Sequence, residues 1–170
     1  MKLLLVLMLA VSLEGVYQRE IGVRERSGNN DGVKVEEYLK YVSLKRGNPW
    51  CAAFVCWSLA QAGIENPRSG WSPDLFPVAK VCWQRSSGVQ LSTRKSGSSA
   101  PCRGDVFGIF FPSKNRIAHV GFVDSWGDKY VITVEGNTNE AGSREGDGVY
   151  RKRRLISSIY RVAKWRADYE

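Results

Sequence analysis

Four residues of this chain have side chains that together could cleave an amide bond: Cys51, His119, Glu135 and Asn137. A cysteine thiolate is a nucleophile, and its reactivity depends on surroundings that favour the ionised form. His119 is the only histidine in the chain, so a cysteine hydrolase built on this sequence has one candidate imidazole base. A carboxylate or amide beside that imidazole would fix its tautomer and orientation, completing the order of nucleophile, base and orienter. Each residue also has an ordinary structural reading. Free cysteines are commonly small buried hydrophobes, and a lone histidine on an apolar strand is commonly a satisfied core residue. The case for chemistry therefore rests on where the elements place these side chains.

Cys51 lies in the stretch Asn48-Pro49-Trp50-Cys51-Ala52-Ala53-Phe54-Val55-Cys56-Trp57. Asn48 is a favoured helix N-cap, and Pro49 suits the first helical position. From Cys51 to Ala62 the residues are apolar nearly all round, without Pro, Gly or charge, which predicts a largely buried helix closed by Gly63. Cys51 then sits in the first turn, where free N–H groups and the positive dipole end favour a thiolate. His119 lies on the predicted strand 118–124, and Glu135 ends the predicted strand 130–135. A hairpin loop over 125–129 joins them. If Asp124 pairs with Tyr130, antiparallel counting sets His119 directly opposite Glu135, with Cβ atoms about 4.5–5.5 Å apart. Asn137 would share that face if the strand continued through Gly136.

The remaining elements read as a frame for that pair. Residues 14–24 form a short helix, and the cluster 27–32 a helix-capping turn rather than a calcium loop, since the EF-hand spacing is missing. Val35, Tyr38, Leu39 and Val42 recur at helical spacing and predict an amphipathic helix. The region 65–101 is rich in Ser, Gly, Pro, Arg and Lys and is predicted irregular, with a short helix near 75–83. Its Trp71, Phe76 and Trp83 either line a substrate groove or pack the loop onto the domain. Strands are predicted at 106–111, 118–124, 130–135, 148–153 and 159–165. Helices first and strands afterwards mean an α+β fold, with an antiparallel sheet packed against the cysteine helix.

Length and charge bound the function. The 170 residues suit one domain, and a formal charge of +8 favours an anionic partner. The basic run Arg151-Lys152-Arg153-Arg154 resembles a nucleic-acid signal in composition, but inside a strand pattern it reads as a solvated strand end. Lys2, the apolar run 3–10 and the small-x-small site Ala10-Val11-Ser12 match a secretory signal. This predicts a signal peptide over 1–13, an exported domain over 14–170 and no stable membrane insertion after processing. The alternative is that the run forms a first core helix. Cys51 and Cys56 diverge on one helix and should not pair, whereas Cys82 and Cys102 flank the loop-rich middle and are the candidates for a bridge. A single histidine and the absence of CxxC spacing argue against a zinc site.

Four ordered motifs resemble the CHAP domain, the cysteine- and histidine-dependent amidohydrolase/peptidase module of bacterial and phage peptidoglycan hydrolases, related to NlpC-type and papain-like enzymes. They are Pro49-Trp50-Cys51-Ala52-Ala53-Phe54-Val55, Arg103-Gly104-Asp105-Val106, Ile117-Ala118-His119-Val120-Gly121 and Val134-Glu135-Gly136-Asn137-Thr138. The resemblance implies Cys51 as nucleophile, His119 as base, Glu135 and Asn137 as the polar residues completing the site, and peptidoglycan as substrate. It implies no cofactor. Some members of that family bind calcium through acidic residues shortly before the cysteine; here that segment is Leu44-Lys45-Arg46-Gly47-Asn48, so no metal is expected. The resulting expectation is an exported hydrolase acting as an N-acetylmuramoyl-L-alanine amidase or as a stem or cross-bridge endopeptidase, without nucleic acid. One alternative is a non-catalytic basic module that binds cell wall or another polyanion. Another is a toxin with the same chemistry and an immunity protein as partner.

Overall fold

The apolar stretch around Cys51 is the packing centre of the chain. In the computed structural model, which describes residues 11–85, 100–141 and 146–166, it forms helix α3 (Cys51–Gln61), buried on every side from Cys51 to Leu59. Around it lie α1 (Leu13–Arg19) and α2 (Val33–Tyr41). The periodic Val35, Tyr38, Leu39 and Val42 are all buried, as their spacing requires. Tyr38 meets Trp50, Phe54 and Trp57 at ring-centroid distances of 5.7, 5.5 and 5.0 Å, joining α2 to α3 through an aromatic cluster. Among the described residues no helix is long and apolar enough to cross a membrane.

The ends of α3 are informative. Gly63 adopts φ +72, its N–H donates to Ala60 O at 2.9 Å, and Ile64 N–H donates to Leu59 O at 2.9 Å. These two bonds are the Schellman closure that a glycine there permits. The start differs from expectation. Asn48 donates its side-chain amide to Lys45 O at 2.9 Å and does not cap the helix, whose N-cap is Trp50 without a side-chain bond. The helix therefore begins at Cys51 itself, whose position among the unpaired first-turn N–H groups is more terminal than predicted.

Six antiparallel strands form the sheet: β1 (Val81–Gln84), β2 (Val106–Phe111), β3 (Arg116–Trp126), β4 (Tyr130–Thr138), β5 (Gly148–Leu155) and β6 (Arg161–Ala163), in the order β1-β6-β2-β3-β4-β5. The three helices with this sheet give the expected α+β architecture. The predicted helix near 75–83 is absent. Pro73 and Pro77 restrict that segment to 3-10 turns at Ser72–Leu75 and Val78–Lys80, and Val81–Gln84 instead becomes edge strand β1, paired with β6. The predicted first helix also stops early, at Arg19, because Gly22 turns with φ +100. Part of the predicted irregular region (86–99) and the apolar run before Val11 lie outside the described residues.

One apolar cluster fills the space between helices and sheet and includes Leu13, Tyr17, Leu39, Phe54, Val120, Phe122 and Val134. A smaller one, with Phe107, Val123, Val131, Ile159 and Val162, covers the opposite face. Helix and strand approach closely at Gly136, where an added Cβ would lie 2.6 Å from Trp50 Cζ3 and 2.9 Å from Phe54 Cβ. At the far edge, segment 22–25 bonds to the start of β5, after which Arg151 and Arg153 point outward along the last strand.

Candidate active site

Three elements converge at one end of α3. Cys51 contributes its thiol from the first helical residue, His119 its ring from β3, and Glu135 its carboxylate from β4. His119 Nε2 lies 2.7 Å from Glu135 Oε2, and both side chains are buried, leaving Nδ1 as the ring nitrogen for Cys51. The thiol and the imidazole lie close enough to shift each other's ionisation, and the thiol lies 3.8 Å from Ser72 Oγ. A bulge in β3 places Ala118 without a partner between the pairs Phe110–Ile117 and Ile109–His119. Bulges re-aim neighbouring side chains, and this one lies directly before the imidazole.

The predicted contact between His119 and Glu135 exists, but the predicted register does not. Phe122 pairs with Val134 and Val123 with Thr133, and a bulge at Asp124 absorbs one residue before Ser125–Ile132. One further step along this register sets Gly121, not His119, against Glu135. The offset from the predicted pairing is two residues, so the face is preserved while the partner changes. His119 and Glu135 are diagonal neighbours, within reach of long side chains. Gly121 makes the diagonal possible: a Cβ there would lie 3.0 Å from Glu135 Cγ and 2.7 Å from Val134 O.

Glu135 is also held from its other side. Arg154, on β5, grips it with Nε 2.6 Å from Oε1 and Nη2 2.6 Å from Oε2, and Thr133 Oγ1 donates to Oε1 at 2.5 Å. Each carboxylate oxygen thus has two donors. Burial works to raise this carboxyl's pKa, but the Arg154 hydrogen bonds and then His119 outweigh it and hold it down at about 2. Burial likewise works against a charged His119, yet the hydrogen bonds its cation donates to Cys51 and Glu135, and their negative charges, carry it up to about 9. Burial would raise the Cys51 thiol; the hydrogen bond and charge of His119, with smaller contributions from Ser72 and the Val120 backbone, bring it below its ordinary value. The directions of all three shifts favour a thiolate–imidazolium pair backed by an ionised Glu135.

Asn137 takes a different position. Its φ of +55 turns the strand, and its amide donates to Asn30 Oδ1 at 2.9 Å and to Gly146 O at 3.4 Å. The carboxylate, not this amide, touches the imidazole. Asn137 instead ties β4 to the 27–32 turn, whose Asp31 accepts Ser27 N–H at 2.9 Å and Ser27 Oγ at 3.0 Å. The same turn reaches α3, because Glu25 accepts Asn30 N–H and Trp50 Nε1–H, each at 2.8 Å. Cys51 and Asn137 both open on a cleft of about 1010 Å³, which Asn30, Trp71, Ser72 and Arg116 also line. Of the three aromatics in the long middle region, only Trp71 lines it; Phe76 is buried in the core and Trp83 packs on Trp126 at 5.2 Å.

Sequence reasoning missed Arg154 and Ser72. The basic run 151–154 alternates, with Arg151 and Arg153 exposed and Lys152 and Arg154 half-buried, so it is not uniformly a solvated strand end. Its strand period carried that signal; its composition concealed it. Ser72 had no pattern to mark it. The proposed Cys82–Cys102 bridge is also absent. Cys82 Sγ lies 3.5 Å from Val162 O and 3.9 Å from Asp105 Oδ2, while Cys102 Sγ lies 3.2 Å from Ala100 O, so the sulfurs address different partners. Cys56 donates to Ser69 O at 3.4 Å, and burial pushes its thiol up to about 11, which leaves it unreactive beside Cys51.

A family model for the CHAP domain matches residues 43–137, more than half of the chain and a span that holds Cys51, His119, Glu135 and Asn137. Arg154 lies beyond the end of the match. A search of curated proteins found no match.

Proposed function

The chain belongs to the CHAP domain family, whose members are generally cysteine- and histidine-dependent amidohydrolases of peptidoglycan, and from that premise we propose that it hydrolyses an amide bond in peptidoglycan through Cys51, His119 and Glu135. The observation that carries this reading is the buried contact of 2.7 Å between His119 Nε2 and Glu135 Oε2, which leaves Nδ1 free to serve the Cys51 thiol at the start of α3.

The Cys51 thiolate adds to the amide carbonyl carbon, and the oxygen takes the negative charge as the tetrahedral intermediate forms. Free N–H groups of the first turn of α3, Cys51's own among them, supply the oxyanion donors. The His119 imidazolium gives its proton to the leaving nitrogen as the C–N bond breaks, leaving a thioester on Cys51 and a neutral imidazole. A water then attacks the thioester while His119 takes its proton. Collapse releases the carboxylic acid and restores the thiolate–imidazolium pair. Throughout, Glu135 holds the ring and stabilises its cationic form, and Arg154 and Thr133 hold Glu135. Asn137 fixes the cleft wall.

The same proposal includes export. Its support is the pattern of Lys2, the apolar run 3–10 and the small residues Ala10 and Ser12, with substrate outside the cytoplasm. The test is digestion of purified sacculi with the full-length chain and with Cys51→Ala, followed by mass spectrometry of the soluble fragments. New amino termini at L-alanine identify an amidase, and termini within the stem or bridge identify an endopeptidase. Identical fragment spectra from the two proteins would overturn the assignment.

A further inference from the structure

The cleft beside Cys51 has cations without carboxylate partners and carboxylates that already have donors. Arg68, Lys114 and Arg116 line it, and among the described residues none of the three forms an ion pair. Other cations of the chain do meet acids: Arg26, Arg103, Arg151, Arg154 and Arg166 each pair with an Asp or Glu. The cleft's own acids are engaged. Both Glu25 oxygens accept hydrogen bonds, and Asp147 Oδ1 accepts the Tyr150 hydroxyl at 2.7 Å.

Arg116 is moreover held in a defined pose. Its guanidinium carbon lies 3.9 Å from the centre of the Trp71 ring, and Nη1 donates to Ile117 O at 3.0 Å. A guanidinium seated over an indole keeps the remaining donors of its planar fork at its own edge, the geometry that receives a carboxylate with two parallel bonds. Trp71 itself is 51% exposed, unusual for a side chain of that size. The pair is close to the reaction centre on two counts. Trp71 directly precedes Ser72, whose Oγ is 3.8 Å from Cys51 Sγ. Arg116 begins β3 and precedes His119 by three residues, about 10 Å of strand.

We propose that Trp71 and Arg116 form a subsite for a free carboxylate of the substrate, so that this enzyme acts on acidic peptides carrying that group about three extended residues from the cleaved amide. Arg68 and Lys114 extend the positive wall around it. The inference rests on the assignment of the cleft as a peptide-amide hydrolase and narrows it: acidic stem peptides fit, whereas neutral oligoglycine bridges do not engage the subsite.

The test uses the full chain carrying Cys51→Ala, so that binding is read without turnover. The probes are N-acetyl-L-alanyl-γ-D-glutamyl-L-lysinamide and the same peptide with its glutamyl carboxylate converted to the carboxamide, titrated by calorimetry. The acid should bind about tenfold tighter than its amide twin at low salt, the scale of one charge-assisted contact at a partly wet site. The ratio should fall with added salt. Arg116→Gln should bring it near one, and Arg116→Lys, which keeps charge but not the fork, should leave an intermediate value. Alkylation of Cys51 by iodoacetamide in the otherwise wild-type Arg116→Gln chain, with its thermal melt, shows that the fold and thiol persist. Equal affinity of the two probes, or a ratio unchanged in both Arg116 variants, overturns the subsite even if sacculi are cleaved. A preserved ratio with uncut sacculi would instead remove the hydrolase assignment and leave the carboxylate site standing.

Discussion

At Cys51 burial and electrostatics oppose one another, and the His119 cation decides the outcome. Iodoacetamide should therefore label Cys51 at neutral pH and leave Cys56 untouched, as peptide mass mapping would show. Cys51→Ser should abolish lysis of sacculi, while Cys56→Ser should retain most of it. His119 needs its proton to expel the leaving amine, and its raised pKa predicts an alkaline limb of kcat/KM near pH 9. Glu135→Gln removes a charge that favours the imidazolium, so the limb should move to lower pH and turnover should fall roughly 10²–10³-fold. Adding His119→Ala should change little further, because residues acting as a unit are non-additive. The same shifts set stability. The raised His119 contributes stability that is full below its unfolded value of 6.5 and lost as pH rises through about 9. The lowered Glu135 contributes stability present above 4.5 and lost as pH falls through about 2. Urea midpoints of wild type and Arg154→Met across that acid range should converge at the low end, because Arg154 is the main group holding the carboxylate ionised. At this scale the residues that meet at the candidate site were legible by type and spacing. Arg154 was not, since strand alternation turns both Lys152 and Arg154 inward and does not say which of them reaches Glu135.

Elements were legible by face more than by register or boundary. The hairpin between β3 and β4 placed His119 and Glu135 on one face, but the strands pair up to Trp126–Val131 and a bulge at Asp124 takes up one residue, so the register beyond it lies two from the counted one. Helix α3 was foretold by its unbroken apolar run, yet its start was misplaced because Asn48 caps its own turn. Gly136 shows what the approach of that helix to β4 demands. Gly136→Ala would drive a methyl into Trp50 and Phe54, an overpacking that typically costs about 1–3 kcal/mol. Since Trp50 precedes Cys51, turnover should fall by more than the lower melting temperature alone explains, measured well below the melt. Helix α1 sets a second test. Ser12 Oγ accepts Gly15 N–H at 3.0 Å and Leu13 is buried, so the folded unit takes in two residues that sequence reading assigned to the leader. A chain starting at residue 11 should match the full-length melting point. One starting at residue 14 should melt lower, having lost a cap of about 1 kcal/mol and a buried leucine of about 2–5 kcal/mol.

Across the whole molecule, composition announced a positive charge but not its distribution. The sum of +8 predicts adhesion to anionic walls that weakens with salt, which pelleting of Cys51→Ala with sacculi at rising NaCl would measure. Pelleting independent of salt would mean that adhesion does not depend on this charge. The architecture adds what the total conceals: three cations meet Asp124 and Glu135, while Arg68, Lys114 and Arg116 line the cleft. The outward arginines of β5 have a further consequence. Beyond its start β5 is the last strand of the sheet, and an uncovered edge is a template on which another molecule's strand can add. The exposed cationic side chains of Arg153 and of Arg151, the latter also paired with Asp124, oppose such stacking. Anyone neutralising them to reduce adhesion to surfaces would be removing the guard against fibril growth, and the milder protein would be the one that clouds on storage.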